Sequence, residues 1–303
     1  MEDLISVVIT TYKRSSEVLL RALDSVLTQT YKTIEVIIVD DSPCDYVCRP
    51  IIKKEILERN DERITYVEHE VNKGACAARN TGLSIAKGNF IAFLDDDDLW
   101  YGNKLEEQID KIREENIGLV YCRSFIVNEL TETKKLREIT PYTGFVFDKL
   151  IVSNFIGSTS FPLIKRECFD VCGGFDESLK SAQDFDMWLR IVQRYQVEFV
   201  DKPLVEYYVH SGDAITKNPN NKIQGILSIN EKYSEYLSNN RKLWSIRLTM
   251  LIPYYLQIGD RKSAINLHLN SLRLSPFRVK AHTKECIRII LSYFPSAKNH
   301  KGE

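Results

Sequence analysis

The sequence predicts an α/β fold with an open, mostly parallel central sheet, followed by a C-terminal helical region. Over about the first 120 residues, short apolar runs rich in valine and isoleucine alternate with helical patterns. From there to about residue 218 the strand signals are short and separated by turns, and beyond that point only helical patterns continue. We therefore expect one large domain over residues 1–218, with halves at 1–122 and 123–218, and a helical region over residues 219–303.

The elements of the first half are predicted from apolar periodicity. Apolar runs predict strands at residues 6–11, 34–39, 64–67, 90–94 and 119–122. Helical patterns lie between them, at about residues 16–27, 47–57, 75–86 and 104–115. Strands that return to one sheet through a helix run parallel, so the alternation predicts a parallel sheet covered on both faces.

The second half and the tail have weaker signals. Short strands are expected near residues 160–164, 198–200 and 205–209, together with a helix over about 183–195. In the tail, helical patterns cover about residues 223–237, 243–257, 261–274 and 279–293. Gly259-Asp260 and Ser275-Pro276 separate the last three of them.

The composition argues against several classes of protein. The 303 residues are 44% hydrophobic and 27% charged, with a formal net charge of −1, whereas general nucleic-acid binding usually needs a basic surface. No apolar run approaches the roughly 18 residues of a membrane span, and no signal peptide is predicted. The seven cysteines are interpreted as thiols in a reducing cytoplasm. The C-x₃-C pairs Cys44/Cys48 and Cys168/Cys172 are wider than the usual zinc pairs.

Four consecutive aspartates, residues 95–98, follow directly after the apolar run 90–94. Carboxylates this close repel one another unless a cation or hydrogen-bond donors hold them charged, and their oxygens suit Mg²⁺ or Mn²⁺ carrying a substrate phosphate. The alternative is a solvated acidic turn that caps the next helix. Because ligands of open α/β sheets lie at the carboxyl ends of the strands, residues 10–14, Asp41 and the four aspartates should converge.

Several ordered motifs give this chain a family resemblance. Over residues 5–211 it resembles the inverting glycosyltransferases of family 2, which have the GT-A fold. The matching blocks are residues 6–14, 39–42, Asn72-x-Gly74 with 78–82, 93–100, 173–177 and 183–186. The resemblance implies a nucleotide-binding half over residues 1–122 and an acceptor half over 123–218.

The resemblance also implies a nucleotide-sugar donor, with a UDP-sugar favoured, and it maps a donor site onto this chain. The implied donor-binding residues are Thr10, Thr11, Tyr12, Arg14, Asp41, Asn72, Gly74, Arg79, Asp95 and Asp96. Tyr12 would stack on the base, Asp41 would accept the N3–H of uracil, and Arg79 would reach the ribose or diphosphate. From the residues alone, Tyr12 could equally be a half-buried loop aromatic, Asp41 a helix cap and Arg79 a surface cation.

The metal site follows from the same resemblance. Asp97 would be the direct ligand of Mn²⁺ or Mg²⁺, Asp95 would contact ribose or complete the metal shell, and His210 would contact the diphosphate or the metal. From the residues alone, His210 could simply be an exposed loop histidine. Asp98 is instead expected to cap the following helix.

Asp184 matches the catalytic base of such enzymes, which takes the proton of the attacking acceptor hydroxyl. Gln183 departs from the family pattern, since many relatives have glutamate there. Asp186 is expected to face elsewhere. Without the motif, Asp184 would be interpreted as a first-turn aspartate favoured by the helix dipole.

Three other functions have sequence requirements of their own. A sugar-nucleotide pyrophosphorylase would need a glycine-rich N-terminal loop with a Lys or Arg phosphate grip, and a Rossmann dehydrogenase would need G-x-G-x-x-G after the first strand; both signals are absent. A non-catalytic nucleotide- or divalent-metal-binding module built on residues 95–98 stays an alternative, although the EF-hand spacing for Ca²⁺ is absent. The donor sugar, the linkage and the acceptor, a saccharide or a lipid-linked saccharide, stay open.

The last helix of the tail has two sequence stripes. Ile287, Ile290, Leu291 and Phe294 form an apolar one, and Lys280, Lys284 and Arg288 repeat every four residues. The simpler interpretation is that the apolar stripe packs on the preceding helices while the cations face water. The alternative is a peripheral contact with the inner face of a membrane, in an otherwise cytoplasmic protein.

Overall fold

The computed structural model describes residues 3–209 and 218–293. The contacts between residues divide the chain into two compact units. The first contains Met1–Ser178 and Gln183–Ser211, and the second contains Leu179–Ala182 and Gly212–Glu303. Each unit is described by itself.

One mixed sheet forms the centre of the first unit. Its strands are β1 (Ile5–Thr11), β2 (Ile34–Asp40), β3 (Ile64–Glu68), β4 (Phe90–Asp95), β5 (Leu99–Trp100), β6 (Ile117–Asn128), β7 (Thr133–Leu136), β8 (Leu163–Lys165) and β9 (Gln196–Tyr208). Their order is β3-β2-β1-β4-β8-β6-β9-β5, and β7 pairs with β6. The run β3-β2-β1-β4 is parallel, as predicted for the first half, whereas β8, β5 and β7 pair antiparallel to their neighbours.

Helices cover this sheet and close its core. They are α1 (Ser16–Leu27), α2 (Arg49–Glu58), α3 (Ala75–Ile85), α4 (Lys104–Ile112), α5 (Phe147–Leu150), α6 (Arg166–Cys172) and α7 (Gln183–Val192). The α1 stripe of Leu19, Ala22, Leu23 and Val26 is fully buried, as its helical spacing predicts. The strands β1, β2 and β4 are nearly all buried as well, as expected for strands covered on both faces.

The strand register confirms that the predicted carboxyl ends meet at one edge. Thr10 pairs with Val39 on one side and with Asp95 on the other. Strands β1, β2 and β4 therefore end next to one another. The segments that follow these three strands lie together at this edge of the sheet.

The second half of the first unit differs from its prediction. Two expected short strands, 198–200 and 205–209, are one strand, β9, which pairs parallel with β6. Pro203 lies within it opposite Arg123, between two register shifts. Proline is tolerated at such an irregularity because it need not donate a ladder hydrogen bond there. The short elements β5, β7, α5 and α6 were not predicted.

The second unit is helical, with α8 (Pro219–Lys232), α9 (Ser234–Asn239), α10 (Arg241–Gln257), α11 (Arg261–Leu274) and α12 (Val279–Leu291). The helix expected over 223–237 is thus two helices, which meet at Tyr233. Ile252, Ala264 and Ile289 form a small core between α10, α11 and α12. Within residues 3–209 and 218–293, a search for helices with the length and apolar character of a membrane span finds none.

The predicted packing of α12 is wrong. Its buried residues are His282, Glu285 and Ile289, whereas Ile287 and Ile290 are exposed. His282 is held by the carbonyl of Ser275 at 2.8 Å from its Nε2. The helix therefore packs through a mainly polar face, and most of its apolar stripe faces outward.

Candidate active site

The four aspartates after β4 alternate in exposure. The side chains of Asp95 and Asp97 are 27% and 21% exposed, whereas Asp96 and Asp98 are buried. Because the carboxylates have different surroundings, each has a different role in the structure.

Asp98 is built into the interior and does not cap the next helix. It is fully buried, and its carboxylate accepts hydrogen bonds from Ser160 Oγ at 2.6 Å and the backbone N–H of Tyr208 at 3.1 Å. Helix α4 begins further on, at Lys104, so the predicted capping role is wrong. Burial, reinforced by the carboxylates of Asp95 and Asp97, raises the pKa of Asp98 well above its usual value despite these hydrogen bonds.

Asp95 is held by a cation and two hydroxyls. Arg79 Nη2 lies 2.7 Å from Oδ1, and Ser158 Oγ and Thr159 Oγ1 each donate from 3.0 Å. Burial pushes the pKa of Asp95 upward, but the guanidinium of Arg79 and the two hydroxyls outweigh it, so the pKa lies below its ordinary value. Asp95 is therefore a carboxylate that this site keeps charged.

Arg14 bridges the next two aspartates. Its Nε lies 3.0 Å from Asp96 Oδ1, and its Nη2 lies 2.9 Å from Asp97 Oδ2. Thr11 Oγ1 donates to the other oxygen of Asp96 at 2.7 Å. The end of β1 thus supplies the cation and the hydroxyl that stabilise the acidic turn after β4, which is the convergence predicted from the sequence.

Asp41 organises the turn that begins α3. Its carboxylate accepts the backbone N–H groups of Lys73 and Gly74, each at 2.8 Å, and His69 Nδ1 lies 2.7 Å away. Gly74 has φ +89°, ψ 160°, a backbone region that only glycine adopts easily. Helix α2 begins at Arg49, so the capping alternative for Asp41 is wrong. Its contact with uracil stays a prediction.

The remaining predicted donor residues lie around the same edge. Tyr12 is 45% exposed, so its ring is open to a stacking partner. Thr10 is half-buried at the end of β1, and Asn72 is exposed in the turn before α3. His210 lies outside the residues that the structure describes.

Asp184 lies in the first turn of α7. It is half-buried, and its Oδ1 accepts the N–H of Phe185 at 2.8 Å. Burial raises the pKa of the Tyr207 phenol, and the carboxylates of Asp98, Asp95, Asp97 and Asp184 raise it further. Hydrogen bonds also connect α7 to the acidic turn, since Trp188 Nε1 donates to the carbonyl of Gly157 at 2.9 Å and the next residue, Ser158, donates to Asp95.

Asp186 faces the interior, which agrees with its expected orientation away from the site. It is fully buried, and its Oδ2 accepts from Arg190 Nε at 2.9 Å. Arg190 in turn donates to the carbonyls of Cys172 at 2.7 Å and Gly174 at 2.8 Å. Asp186 thus orients the arginine that fixes the glycine turn at residues 173–177.

The glycine turn also docks on α3. Asn80 Oδ1 accepts the N–H of Phe175 at 2.8 Å, and a Cβ on Gly174 would lie 2.5 Å from that oxygen. The ring of Phe175 is buried, edge-on to Phe93 at 5.1 Å. The turn therefore connects the two halves of the first unit.

Sequence reasoning missed Arg137, a half-buried cation whose pKa responds to the charge of the predicted base, Asp184. Arg137 donates to the carbonyl of Asn154 at 3.0 Å and to those of Phe155 and Ile156 at 3.2 and 3.3 Å. Burial lowers the pKa of Arg137, and the charges of Tyr207 and Asp184 oppose that effect. No motif or residue spacing in the sequence singles out Arg137.

The hydroxyls of residues 158–160 were missed as well. Three of these side chains hold the acidic turn, and the run Ser-Thr-Ser before a predicted strand was the available signal.

The carboxylate oxygens of this site are ligands that suit a divalent cation, which a phosphate-bearing substrate would bring with it. Asp95 and Asp97 offer partly exposed carboxylate oxygens, and Mg²⁺ is commonly held by one or two carboxylates together with substrate phosphates. Across residues 3–209 and 218–293, no three His, Cys, Asp or Glu side chains are grouped as a ready metal site.

Comparison with known families shows to which family this chain belongs. The family model described as "Glycosyl transferase family 2" matches residues 6–175, which include β1, the acidic turn and the first part of the glycine turn. The chain belongs to glycosyl transferase family 2.

Two relatives of this glycosyltransferase illustrate the family match. The Escherichia coli K12 protein WcaA, named for colanic acid biosynthesis, is 30% identical over 82% of this chain and 93% of its own length. The Escherichia coli protein WfgD, named as a UDP-Glc:α-D-GlcNAc-diphosphoundecaprenol β-1,3-glucosyltransferase, is 31% identical over 66% of this chain and 75% of its own. Against three longer Rickettsia glycosyltransferases the chain spans only 36% to 42% of their length.

A solved structure shows the fold of this glycosyltransferase. The S. aureus protein TarS in complex with UDP-GlcNAc superimposes with a TM-score of 0.64 at 18% identity, covering 95% of this chain and 89% of that one. The fold is therefore the GT-A fold, as the resemblance implied.

Proposed function

We propose that this glycosyltransferase moves a sugar from a UDP-sugar to a hydroxyl of a saccharide or lipid-linked saccharide, with inversion at the anomeric carbon. The observation that carries the proposal is the short link between α7, which carries Asp184, and the acidic turn. Trp188 of α7 donates to the carbonyl of Gly157 at 2.9 Å, and the next residue, Ser158, donates to Asp95 at 3.0 Å. A donor diphosphate at the turn and an acceptor beside Asp184 would then meet at one site.

The donor side of the proposal uses the edge built by β1, β2 and β4. Exposed Tyr12 would stack on the base, and Arg79, 2.7 Å from Asp95, would reach the ribose or the diphosphate. Asp97 would hold Mn²⁺ or Mg²⁺, with Asp95 and His210 as further candidates. When bound, the metal ion supplies positive charge that stabilises the departing diphosphate.

The acceptor side of the proposal rests on Asp184. The acceptor oxygen forms a bond to the anomeric carbon while the bond from that carbon to the diphosphate breaks, and UDP leaves with the bonding electrons. Asp184 accepts the hydroxyl proton, since a neutral hydroxyl is a poor nucleophile. Attack from the face opposite the leaving group inverts the configuration, as in inverting glycoside hydrolysis.

The names of the relatives support a place in cell-surface polysaccharide synthesis. WcaA is named for colanic acid, and WfgD for an acceptor sugar on diphosphoundecaprenol. We infer an acceptor of the same broad class, a saccharide that is free or linked to a lipid, at the cytoplasmic side of the membrane.

A donor panel tests the proposal. The protein is incubated with UDP-glucose, UDP-galactose and their N-acetyl forms, with Mn²⁺, with Mg²⁺ or with chelator, and UDP release and sugar transfer to model saccharides are measured. We expect metal-dependent turnover of at least one donor, with NMR of the product showing an inverted anomeric configuration. Asp110→Asn, which changes an exposed aspartate of α4, is the matched control for carboxylate variants.

Two outcomes would overturn the proposal. Conversion of UTP and a sugar 1-phosphate to a UDP-sugar, without transfer, would indicate a pyrophosphorylase. Tight UDP binding with no turnover of any donor, with or without acceptors, would indicate a nucleotide-binding module.

A further inference from the structure

The last described helix, α12, presents apolar side chains to the outside. Val279, Ile287, Ile290 and Leu291 are 65%, 52%, 57% and 61% exposed. Their spacing places them on one side of the helix. Ile289, on the opposite side, is buried against α10 and α11.

The segments before and after α12 also expose apolar side chains. Phe277 is 95% exposed and Tyr293 is 54% exposed. Single exposed apolar residues are common in proteins, but a cluster of large ones at one end of a unit marks an interaction surface. We call the exposed side of this helix the α12 face; it consists of Val279, Lys280, Lys284, Ile287, Ile290 and Leu291.

The α12 face also carries positive charge without exposed acidic residues to balance it. Lys280 and Lys284 are both exposed and lie among the apolar side chains. Residues 261–293 contain seven Lys or Arg and one acidic residue, Glu285, in a chain whose total net charge is −1. Glu285 is itself buried and paired with Arg288 at 2.9 Å.

We propose that the α12 face binds the surface of an anionic phospholipid membrane, with the helix lying in the plane of the interface. The aliphatic side chains would enter the region between headgroups and acyl chains, while Lys280 and Lys284 would contact lipid phosphates. A helix of 13 residues is about 20 Å long, which suits this orientation.

The charge of the face favours a membrane over a second copy of this chain. In a two-fold dimer the same patch meets itself, so the lysines of one copy would approach those of the other. Such like-charge contacts oppose association, whereas an anionic lipid surface attracts every one of these cations. The inference does not depend on the identity of the donor sugar.

Vesicle sedimentation of the full chain tests the proposal. The vesicles contain equimolar phosphatidylglycerol and phosphatidylcholine, or phosphatidylcholine alone, at about 50 mM and about 500 mM salt. We expect binding only to the anionic vesicles and a strong loss of binding at the higher salt. The double variant Lys280→Gln/Lys284→Gln should bind on the order of 10-fold more weakly.

Exposed positions elsewhere provide matched controls. Ile287→Ser/Leu291→Ser should lose vesicle binding, while Val47→Ser/Leu57→Ser, which changes exposed aliphatic residues of the first unit, should bind as the wild type does. Lys54→Gln/Lys87→Gln controls for a general loss of charge. Unchanged circular dichroism and unfolding midpoints would show that these surface variants remain folded.

Three results would overturn the proposal. Equal binding to both vesicle types would show that anionic lipid is not recognised. Binding that survives both α12 double variants would place any membrane contact elsewhere. A wild-type dimer in sedimentation velocity that Ile287→Ser/Leu291→Ser dissociates, with no vesicle binding, would make a second copy the occupant.

Discussion

Two clusters of aspartates, one at the end of β4 and one at the start of α7, have a similar arrangement. At the end of β4, buried Asp98 is fixed by Ser160 and Tyr208 while neighbouring Asp97 is partly exposed. At the start of α7, Asp186 is buried against Arg190 while Asp184 is half-buried beside it. In each group, one carboxylate is buried and fixed within the structure, and another is partly exposed.

The two groups differ in the cations that accompany them. Arg14 and Arg79 bind the aspartates of the acidic turn directly, at 2.7 to 3.0 Å. Arg137 instead donates hydrogen bonds to the main-chain carbonyls of residues 154–156, and the charge of Asp184 partly offsets the lowering of its pKa by burial. The first group is thus held by arginines at each of its partly exposed carboxylates, whereas in the second group the hydrogen-bonded arginine, Arg190, binds the buried Asp186.

The largest effect is expected from Asp97→Ala. The change removes the proposed metal ligand, so transfer should be lost together with the Mn²⁺-dependent part of the affinity for UDP. Calorimetry with UDP, with and without Mn²⁺, measures this, and Asp110→Ala serves as the control. An unchanged metal-dependent affinity would contradict the assignment of Asp97.

A smaller effect, on stability, is expected from Asp186→Asn. Breaking a buried ion pair leaves the charge of Arg190 poorly compensated and loosens the turn at residues 173–177, which should cost about 3 kcal/mol. Urea unfolding measures the loss, with Asp110→Asn as control. If Asp186→Asn were as stable as wild type but inactive, Asp186 would belong to the chemistry and the comparison would fail.

Gly74→Ala should produce the smallest of these effects. No atom lies within 4 Å of an added Cβ, so the cost comes from the backbone conformation alone and should be about 1 to 2 kcal/mol. Gly102→Ala is the matched control, because its Cβ would meet one atom at 3.9 Å, an ordinary contact. Equal unfolding free energies for the two variants would show that the turn held by Asp41 tolerates a side chain.

Much of the first half of the fold could be predicted because its signals are local. The buried strands and the stripe on α1 follow directly from apolar spacing, and parallel pairing then brings their carboxyl ends together. The second half depends on distant partners. Strand β9 continues through Pro203 at an irregularity, because it has extra residues there relative to β6.

The site was predictable in outline but not in the role of each residue. A run of four aspartates has no internal signal for which member is buried, because Asp98 is fixed by residues 62 and 110 positions away. On α12, the buried side was missed for the same reason. His282 and Glu285 are buried through contacts with Ser275 and Arg288 that apolar periodicity does not register.

The most direct test of this account is the kcat of Asp184→Asn. An amide cannot accept the acceptor proton, so kcat should fall on the order of 10² to 10⁴-fold. The affinity for UDP and the unfolding midpoint should match those of wild type and of Asp110→Asn. A kcat within a few-fold of wild type would contradict the role of Asp184 as the base.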